Sequence, residues 1–309
     1  MRTPPAPILL TRELAATGER PDLLSRRAAR GELVRLCRGA YARTEDLRLL
    51  TSGQRHLLSV LAVTLTGMLG DGAVLARESA ALLHGIPLIG PIPERVQLVR
   101  PGRSGGRSTH GLRTLRAPED YETTRLDGVL VSTPAQTLID LGRRRSLSST
   151  LAGLDAVLRA GTVHREQLTE LAQSHPSAHG NARLRYAIDL ADPLAESPGE
   201  SLSRAVMVQR RLPPPSLQVE VHDRTGRLLG RVDFMWPELG VIGEFDGAIK
   251  YTRALTGRSV DQIVLEERRR EQAIERATGM RVTRWTWKDA LGEAGMLRAL
   301  ADVGVLPRR

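Results

Sequence analysis

Cysteine is almost absent from this chain, since Cys37 is the only one among 309 residues. A single thiol excludes an intramolecular disulfide and a zinc site built from several cysteines, which suits the reducing cytoplasm. The sequence also lacks a long apolar run, because residues 57–69 are too few and too interrupted by threonine to span a bilayer. The opening residues, MRTPPAPILLTRE, have no apolar core of the kind that a signal peptide needs. We therefore expect a cytoplasmic protein with no membrane partner.

Lysine and aromatic residues are scarce as well. Lys250 and Lys288 are the only lysines among 45 basic residues, and aromatics make up 3% of the chain. All tryptophans and phenylalanines fall between residues 234 and 287, which predicts the best-packed core there rather than a surface that stacks on bases. The net charge of +10 favours an anionic partner such as nucleic acid, although an arginine-rich proteome explains it equally well.

The stretch at residues 231–251 reads RVDFMWPELGVIGEFDGAIKY. Two apolar-rich runs flank four residues with turn chemistry, from Pro237 to Gly240, and predict a β-hairpin. If the turn closes without a bulge, one face of the hairpin is entirely apolar. On the other face Asp233 lies directly opposite Glu244. A slip of one residue would mix carboxylates into the apolar face, so the pattern favours this register.

Two carboxylates placed directly across a strand pair repel each other. A divalent cation bound by Asp233 and Glu244 would offset that repulsion, and the hard oxygen ligands predict Mg²⁺ or Mn²⁺. Lys250 follows Glu244 within a few residues, and it is unusual because nearly all basic residues of the chain are arginines. Its ammonium is a compact charge suited to a phosphate oxygen or an attacking water.

These residues resemble the PD-(D/E)XK nuclease superfamily, in the branch of very-short-patch-repair-like and DUF559 domains. In that branch an Asp on one strand is followed by Glu-x-Asp-Gly on the next, as Asp233 is followed here by residues 244–247. The resemblance implies a metal-dependent endonuclease that hydrolyses DNA phosphodiesters, with an inactive nuclease fold kept for binding as the alternative. The residues that it implies to be catalytic are Asp233, Glu244, Asp246, Lys250 and Glu200.

Two of those residues need comment. The commonest pattern of the superfamily has lysine where this chain has Asp246, so Lys250 would fold back to replace it after the bend that Gly247 permits. Glu200 has two interpretations. It completes a capping box with Ser197 at the start of a helix, and in the resembled family an acidic residue on this helix approaches the metal.

A highly charged helix is predicted at residues 261–278, and most of it reads as a solvated face. In the resembled family the helix after the Glu-x-Asp-Gly strand lies beside the active site, which implies a phosphate contact by Arg269 or Arg270. A third interpretation needs no metal. In it the acidic face is an ordinary surface salt-bridge site with Arg231.

The first 50 residues predict a winged helix-turn-helix. Helices are expected at residues 11–16 and 22–30, followed by a β-ribbon whose strands at 33–36 and 40–42 flank a basic turn. The second helix would enter the major groove, and the turn would contact the backbone or the minor groove of double-stranded DNA. The alternative is a helical cap with a solvated basic face. The expected DNA-binding residues are Arg26, Arg27, Arg30, Arg35 and Arg38.

The order TREL, Gly18, LLSRRAARGELVRLCRGAY resembles the N-terminal domain of AbiEi-type antitoxins of type IV toxin–antitoxin systems, a family of winged-helix autoregulators. RESAALLHGIP, followed downstream by TPAQTLIDLGR, resembles the body of AbiEi-like proteins. The resemblance implies a transcriptional regulator or antitoxin with a toxin partner or a homodimer. His84, in the first of these segments, is expected to be a satisfied core or capping residue.

The whole pattern predicts an α/β (α+β) protein in three parts. Residues 1–50 form the winged helix-turn-helix, residues 51–192 a mixed α/β AbiEi-like domain, and residues 193–309 a restriction-endonuclease-like sheet flanked by helices. The sequence leaves open whether the chain is an enzyme. Its two predicted functions are a DNA endonuclease and, alternatively, a regulator with a catalytically inactive nuclease fold.

Overall fold

The computed structural model describes residues 2–16, 20, 22–101, 108–109, 111–247 and 260–308. They divide into two compact units. Unit 1 comprises Met1–Ser146 and Gly161–Asp189, and unit 2 comprises Leu147–Ala160 and Leu190–Arg309. No helix in the part of the chain that the structure describes is both long and apolar enough to cross a membrane.

Unit 1 begins with a small sheet covered by short helices. Leu24, Leu33 and Tyr41 pack together beneath the second helix, and the strands follow the antiparallel order β1-β3-β2. The predicted pair of helices and the predicted hairpin are confirmed. Gly18 and Pro21 lie outside the described residues. The elements are β1 (Leu9–Leu10), α1 (Thr11–Ala16), α2 (Leu23–Ala29), β2 (Leu33–Cys37), β3 (Ala40–Arg43), α3 (Thr44–Leu49) and α4 (Ser52–Leu65).

A six-stranded mixed sheet follows, in the order β6-β7-β5-β4-β9-β8. Its longer elements were predicted from the sequence, whereas β4, β6 and β8 were not. The elements are β4 (Val74–Leu75), α5 (Arg77–His84), β5 (Val96–Val99), β6 (Ser108–Thr109), β7 (Leu112–Leu115), β8 (Thr123–Leu126), β9 (Val129–Ser132), α6 (Pro134–Gly142), α7 (Leu147–Arg159, part of unit 2), α8 (Arg165–Ser174) and α9 (Asn181–Leu190).

Unit 2 is built on a four-stranded sheet in the order β10-β11-β12-β13. The first three strands are antiparallel, and β13 returns parallel to β12 after a long helix. The predicted α/β (α+β) class and the predicted C-terminal sheet flanked by helices are confirmed. The elements after α7 are α10 (Pro198–Gln209), β10 (Ser216–His222), β11 (Leu228–Trp236), β12 (Val241–Asp246), α11 (Val260–Thr278), β13 (Arg281–Thr286), α12 (Trp287–Leu291) and α13 (Ala294–Asp302).

The phenylalanines and tryptophans lie in unit 2, and four of these five residues are buried in its core, as their clustering predicts. Phe234 and Trp285 are both fully buried, and their ring centroids lie 5.3 Å apart. Gly243 makes this stacking possible, because a Cβ atom at that position would lie 2.6 Å from the Trp285 ring. The apolar face of the hairpin therefore requires a residue without a side chain at its centre.

Helix α7 is joined to α10 by a buried polar network. The Asp155 carboxylate is fully buried and accepts hydrogen bonds from the Asp192 backbone N–H at 2.8 Å, the Ser201 hydroxyl at 2.7 Å and Arg204 at 2.8 Å. Every partner satisfies part of the charge, as a buried carboxylate requires. The predicted division at residues 50 and 192 stays a prediction, and it would separate Asp155 on α7 from Ser201 and Arg204 on α10.

Candidate functional site

The hairpin that carries the predicted carboxylates has the predicted register. Trp236 pairs with Val241 and Phe234 with Gly243, and the connecting residues Pro237–Leu239 form a 3₁₀ turn. Asp233 and Glu244 are the next residues beyond the Phe234–Gly243 pair. They therefore lie on neighbouring strands at the same end of the hairpin.

Asp233 is held by backbone and amide donors. Its Oδ2 accepts the backbone N–H of Phe245 at 2.8 Å, and its Oδ1 accepts the Gln218 side-chain amide at 3.2 Å. Both oxygens of Asp233 therefore accept an N–H hydrogen bond. Contact with the backbone of β12 fixes the Asp233 side chain.

Glu244 is bound by two arginines. It is only 8% exposed, and its Oε1 lies 2.7 Å from Arg270 Nη2 while its Oε2 lies 2.9 Å from Arg284 Nη2. Arg284 is also 3.2 Å from Glu271. The repulsion expected between opposed carboxylates is therefore offset by guanidinium groups of this chain, on α11 and β13.

Glu200 makes the predicted capping contacts. Its backbone N–H donates to the Ser197 hydroxyl at 3.2 Å, which in turn donates to Glu200 Oε1 at 2.7 Å. Its Oε2 accepts the Glu196 backbone N–H at 2.9 Å. Burial raises the pKa of the Glu200 carboxyl, against the hydrogen bonds, which lower it, and the charge of Asp233 adds to the rise. The capping interpretation thus has a direct structural basis.

Gln218 joins Glu200 to Asp233, a connection that sequence analysis missed. Its amide nitrogen lies 2.8 Å from Glu200 Oε2 and 3.2 Å from Asp233 Oδ1. The backbone of Gln218 has φ of 50°, a left-handed conformation that costs a non-glycine residue on the order of 1–3 kcal/mol. No sequence signal marks a strand glutamine for this position.

The remaining predicted site residues are placed as follows. Asp246 ends β12 and is half-buried, whereas Lys250 lies outside the described residues. Arg231 pairs with Glu196 at 2.6 Å, not with the carboxylates of the hairpin. Arg269 is exposed, and Arg270 contacts Glu244 and the backbone carbonyl of Arg231.

These side chains, as arranged, do not fit a bound Mg²⁺ or Mn²⁺. Mg²⁺ requires near-octahedral oxygen ligands at short distance, whereas each oxygen of Glu244 already contacts a guanidinium and each oxygen of Asp233 accepts an N–H. A cation there would also meet the two positive charges on Arg270 and Arg284. Among the described residues, no group of three or more His, Cys, Asp or Glu side chains is arranged to hold a metal ion.

The predicted DNA-binding arginines fall into two groups. On α2, Arg26 pairs with Asp22 at 2.7 Å and Arg27 with Glu32 at 2.9 Å, and Arg30 follows at the end of that helix, 4.0 Å from Glu32. Arg35 and Arg38, on the β2–β3 hairpin, are exposed. Arg35 donates to the carbonyl of Cys37. Within the described part of the chain, neither hairpin arginine forms an ion pair.

Comparison with known proteins gives the family. Residues 72–190 match the model of the AbiEi antitoxin C-terminal domain. The chain is 31% identical over 216 residues to two proteins of Mycobacterium tuberculosis, uncharacterized protein MT2308 of strain CDC 1551 / Oshkosh and uncharacterized protein Rv2248 of strain H37Rv. The matched region covers 70% of this chain and 74% of each relative. The chain belongs to their family.

Among solved structures, the chain is similar to the crystal structure of the RV2827C protein from Mycobacterium tuberculosis. The sequence identity is 19% and the TM-score is 0.37, with 70% of this chain and 78% of that chain covered. At that score the likeness carries no inference about fold or function. The resemblance of residues 231–251 to DUF559 nuclease domains stays a prediction.

Residues 72–190, which match the AbiEi model, have their own buried polar groups. The Tyr121 hydroxyl donates to Asp140 at 2.5 Å, and burial raises the pKa of the Asp140 carboxyl. His84 is half-buried and its Nε2 lies 2.7 Å from the carbonyl oxygen of Ser132. The contact agrees with the expected role of His84 as a satisfied core residue.

Proposed function

We propose that this protein is a DNA-binding transcriptional regulator of the AbiEi antitoxin type, whose N-terminal winged helix contacts double-stranded DNA. The observation that carries the proposal is the match of residues 72–190 to the AbiEi antitoxin C-terminal domain. The matched residues lie downstream, along the chain, of helix α2 and the β2–β3 hairpin, which in this proposal are the recognition helix and the wing. A cognate toxin or a second copy of the chain would be the protein partner.

The arginines of the hairpin are best placed for phosphate. Arg35 and Arg38 are exposed and extend from a ribbon whose tip is turned by Gly39, at φ of 84°. Guanidinium groups bind phosphate oxygens through paired donors, and such contacts set the position of a protein on the duplex. The wing would therefore supply backbone contacts.

The arginines of α2 would give up ion pairs within the chain when they bind DNA, and the free energy lost is small. Arg26 and its partner Asp22 are both largely solvent-exposed, and an exposed ion pair contributes only about 0–1 kcal/mol. Arg26 can therefore exchange its carboxylate for a phosphate. Arg27 is more buried beside Glu32, so its contribution to binding should be smaller.

The endonuclease function that the sequence also predicts has weaker support. Its central carboxylate, Glu244, contacts two arginines, and its proposed lysine lies outside the described residues. The regulator function needs neither a metal nor that lysine. Of the two functions it is the one that the family match supports.

The test measures DNA binding by the full chain at several salt concentrations. Binding is monitored by the fluorescence anisotropy of two labelled duplexes, one from the promoter of the protein's own gene and one unrelated. Each lost phosphate contact should lower the slope of log affinity against log salt by about one unit. Arg35→Ala with Arg38→Ala should lower it by about two units. Arg26→Ala with Arg27→Ala should lower it less.

A double variant of the AbiEi domain, Arg113→Ala with Arg185→Ala, is the matched control, because it removes the same charge from two exposed positions. Its slope should equal that of the wild type. The proposal would be contradicted if both double variants, Arg35→Ala with Arg38→Ala and Arg26→Ala with Arg27→Ala, fold and keep the wild-type affinity and salt slope. The winged helix would then not lie at the DNA interface.

A further inference from the structure

The contacts of Glu244 form a built ion-pair cluster, which we call the arginine clamp: Arg270 and Arg284 on the two oxygens of Glu244. Arg284 is the register partner of Glu244 in the parallel β12–β13 pair. Because parallel register places the two side chains next to each other, the sheet itself delivers Arg284 to Glu244. One half of the clamp is thus fixed by strand pairing.

Packing and the backbone fix the other half. Ile274, one helical turn after Arg270 on α11, is buried in the core of unit 2, so the helix is anchored over the sheet. Arg270 Nη1 also donates to the backbone carbonyl of Arg231 at 3.2 Å. A Cβ atom at Gly230 would lie 2.8 Å from the same Nη1, so the absence of a side chain there leaves room for the guanidinium.

The clamp has consequences for divalent cations. A cation bound to Glu244 would lie a few ångströms from two guanidinium groups, and like charges in a partly buried site repel strongly. Arg270, on α11, also bridges two strands, because it contacts both the Glu244 carboxylate on β12 and the Arg231 backbone carbonyl on β11. We infer that the arginine clamp takes the place of a divalent cation at this face of unit 2, and that Arg270 is the residue that excludes one.

The arginine clamp does not depend on DNA binding by the winged helix. Charges of the chain itself hold unit 2 at this face, so unit 2 needs no metal for its stability. Arg270 is the residue whose removal would open a cation site there. Removal of Arg270 would take away one of the two guanidinium groups that the described residues place on Glu244, which lies near Asp233.

The experiment measures Mn²⁺ and Mg²⁺ binding to the full chain by titration calorimetry and by thermal melting. The wild type should give no saturable heat and no melting shift at millimolar metal. Arg270→Gln should bind Mn²⁺, and its melting temperature should rise by roughly 3 °C or more at about ten times the dissociation constant. Adding Glu244→Gln to that variant should abolish the shift.

Arg268→Gln is the matched control, since it removes the same charge from an exposed position on the same helix. It should behave as the wild type does. Should Arg270→Gln fail to fold, the wild type still decides, and Arg270→Lys, which keeps the positive charge, should also give no binding. Saturable binding by the wild type that Asp233→Asn abolishes would overturn the inference. An Arg270→Gln variant that folds but binds no metal would overturn the assignment of Arg270 as the excluding residue.

Discussion

At the scale of single residues, several buried ionisable groups among the described residues have particular hydrogen-bond donors and acceptors. His56 is an example in unit 1. Its Nδ1 lies 2.6 Å from the Pro93 carbonyl oxygen and its Nε2 lies 2.8 Å from the Ser79 hydroxyl. The Gln97 backbone N–H also donates to that hydroxyl, so the hydroxyl proton points to Nε2 and the neutral tautomer carries its proton on Nδ1.

This arrangement predicts a loss of stability in mild acid. Burial lowers the pKa of His56 below its usual 6.5, although the bond to Pro93 opposes the shift. Between the folded and unfolded pKa values the unfolded chain binds more protons, so stability is fully present above about pH 6.5 and falls as the pH drops below it. Urea unfolding at several values between pH 8 and 5 would measure the decline.

The pH dependence should become shallower in His56→Gln, which keeps a polar side chain but does not titrate. His179→Gln is the matched control, because that histidine lies in the loop before α9, and it should leave the slope unchanged. A slope in His56→Gln identical to that of the wild type would assign the dependence to other groups, of which His84 is the next candidate because burial lowers its pKa as well.

At the scale of elements, α7 belongs to unit 2, whereas residues 1–146 and 161–189, on either side of it in the sequence, belong to unit 1. The helix is apolar on one side and meets α10, and Asp155 lies at their contact with three donors. A carboxylate that is fully buried requires all of these partners. The ion pair with Arg204 is therefore a joint between α7 and α10, not a surface salt bridge.

Removal of that joint should be costly. Asp155→Ala leaves the Arg204 guanidinium, only 13% exposed, without its carboxylate, and breaking one partner of a buried pair typically costs about 3–5 kcal/mol. The measurement is the unfolding free energy in denaturant. Asp189→Ala, at an exposed position on α9, is the control and should change stability by less than about 0.5 kcal/mol. A loss below about 1 kcal/mol in Asp155→Ala would contradict this account of the α7–α10 contact.

At the scale of the whole molecule, the positive charge bears on the proposed DNA binding, and the hairpin of unit 2 bears on the predicted endonuclease function. The net charge of +10 favours association with DNA. The arginine clamp disfavours the metal-dependent step that cleavage of DNA would need. We therefore expect a chain that binds duplex DNA and leaves it intact.

Incubation with supercoiled plasmid separates the two activities. With Mg²⁺ or Mn²⁺ the wild type should retard the plasmid at low salt without nicking or linearising it, and the result should be the same in EDTA. The comparison includes Glu244→Ala and Lys250→Ala. Metal-dependent cleavage by the wild type that both substitutions abolish would contradict the expectation and support the endonuclease function.

The sequence by itself determined the elements whose signals are local. Periodicity and flanking turn residues gave the observed bounds of α5, β9, α6 and α9, and alternation gave the register of the β11–β12 hairpin, because a slip would bury carboxylates. Tertiary structure alone decided the short strands β4 and β8, the assignment of α7 to unit 2 and the left-handed conformation of Gln218. It also decided the partners of Glu244, since Arg284 lies 40 residues away in sequence and meets it only when β13 pairs with β12. Local patterns specify which face of an element is apolar, but long-range pairing and packing decide which charges meet. Here strand pairing placed Arg284, and helix packing placed Arg270, where the sequence predicted a metal ion.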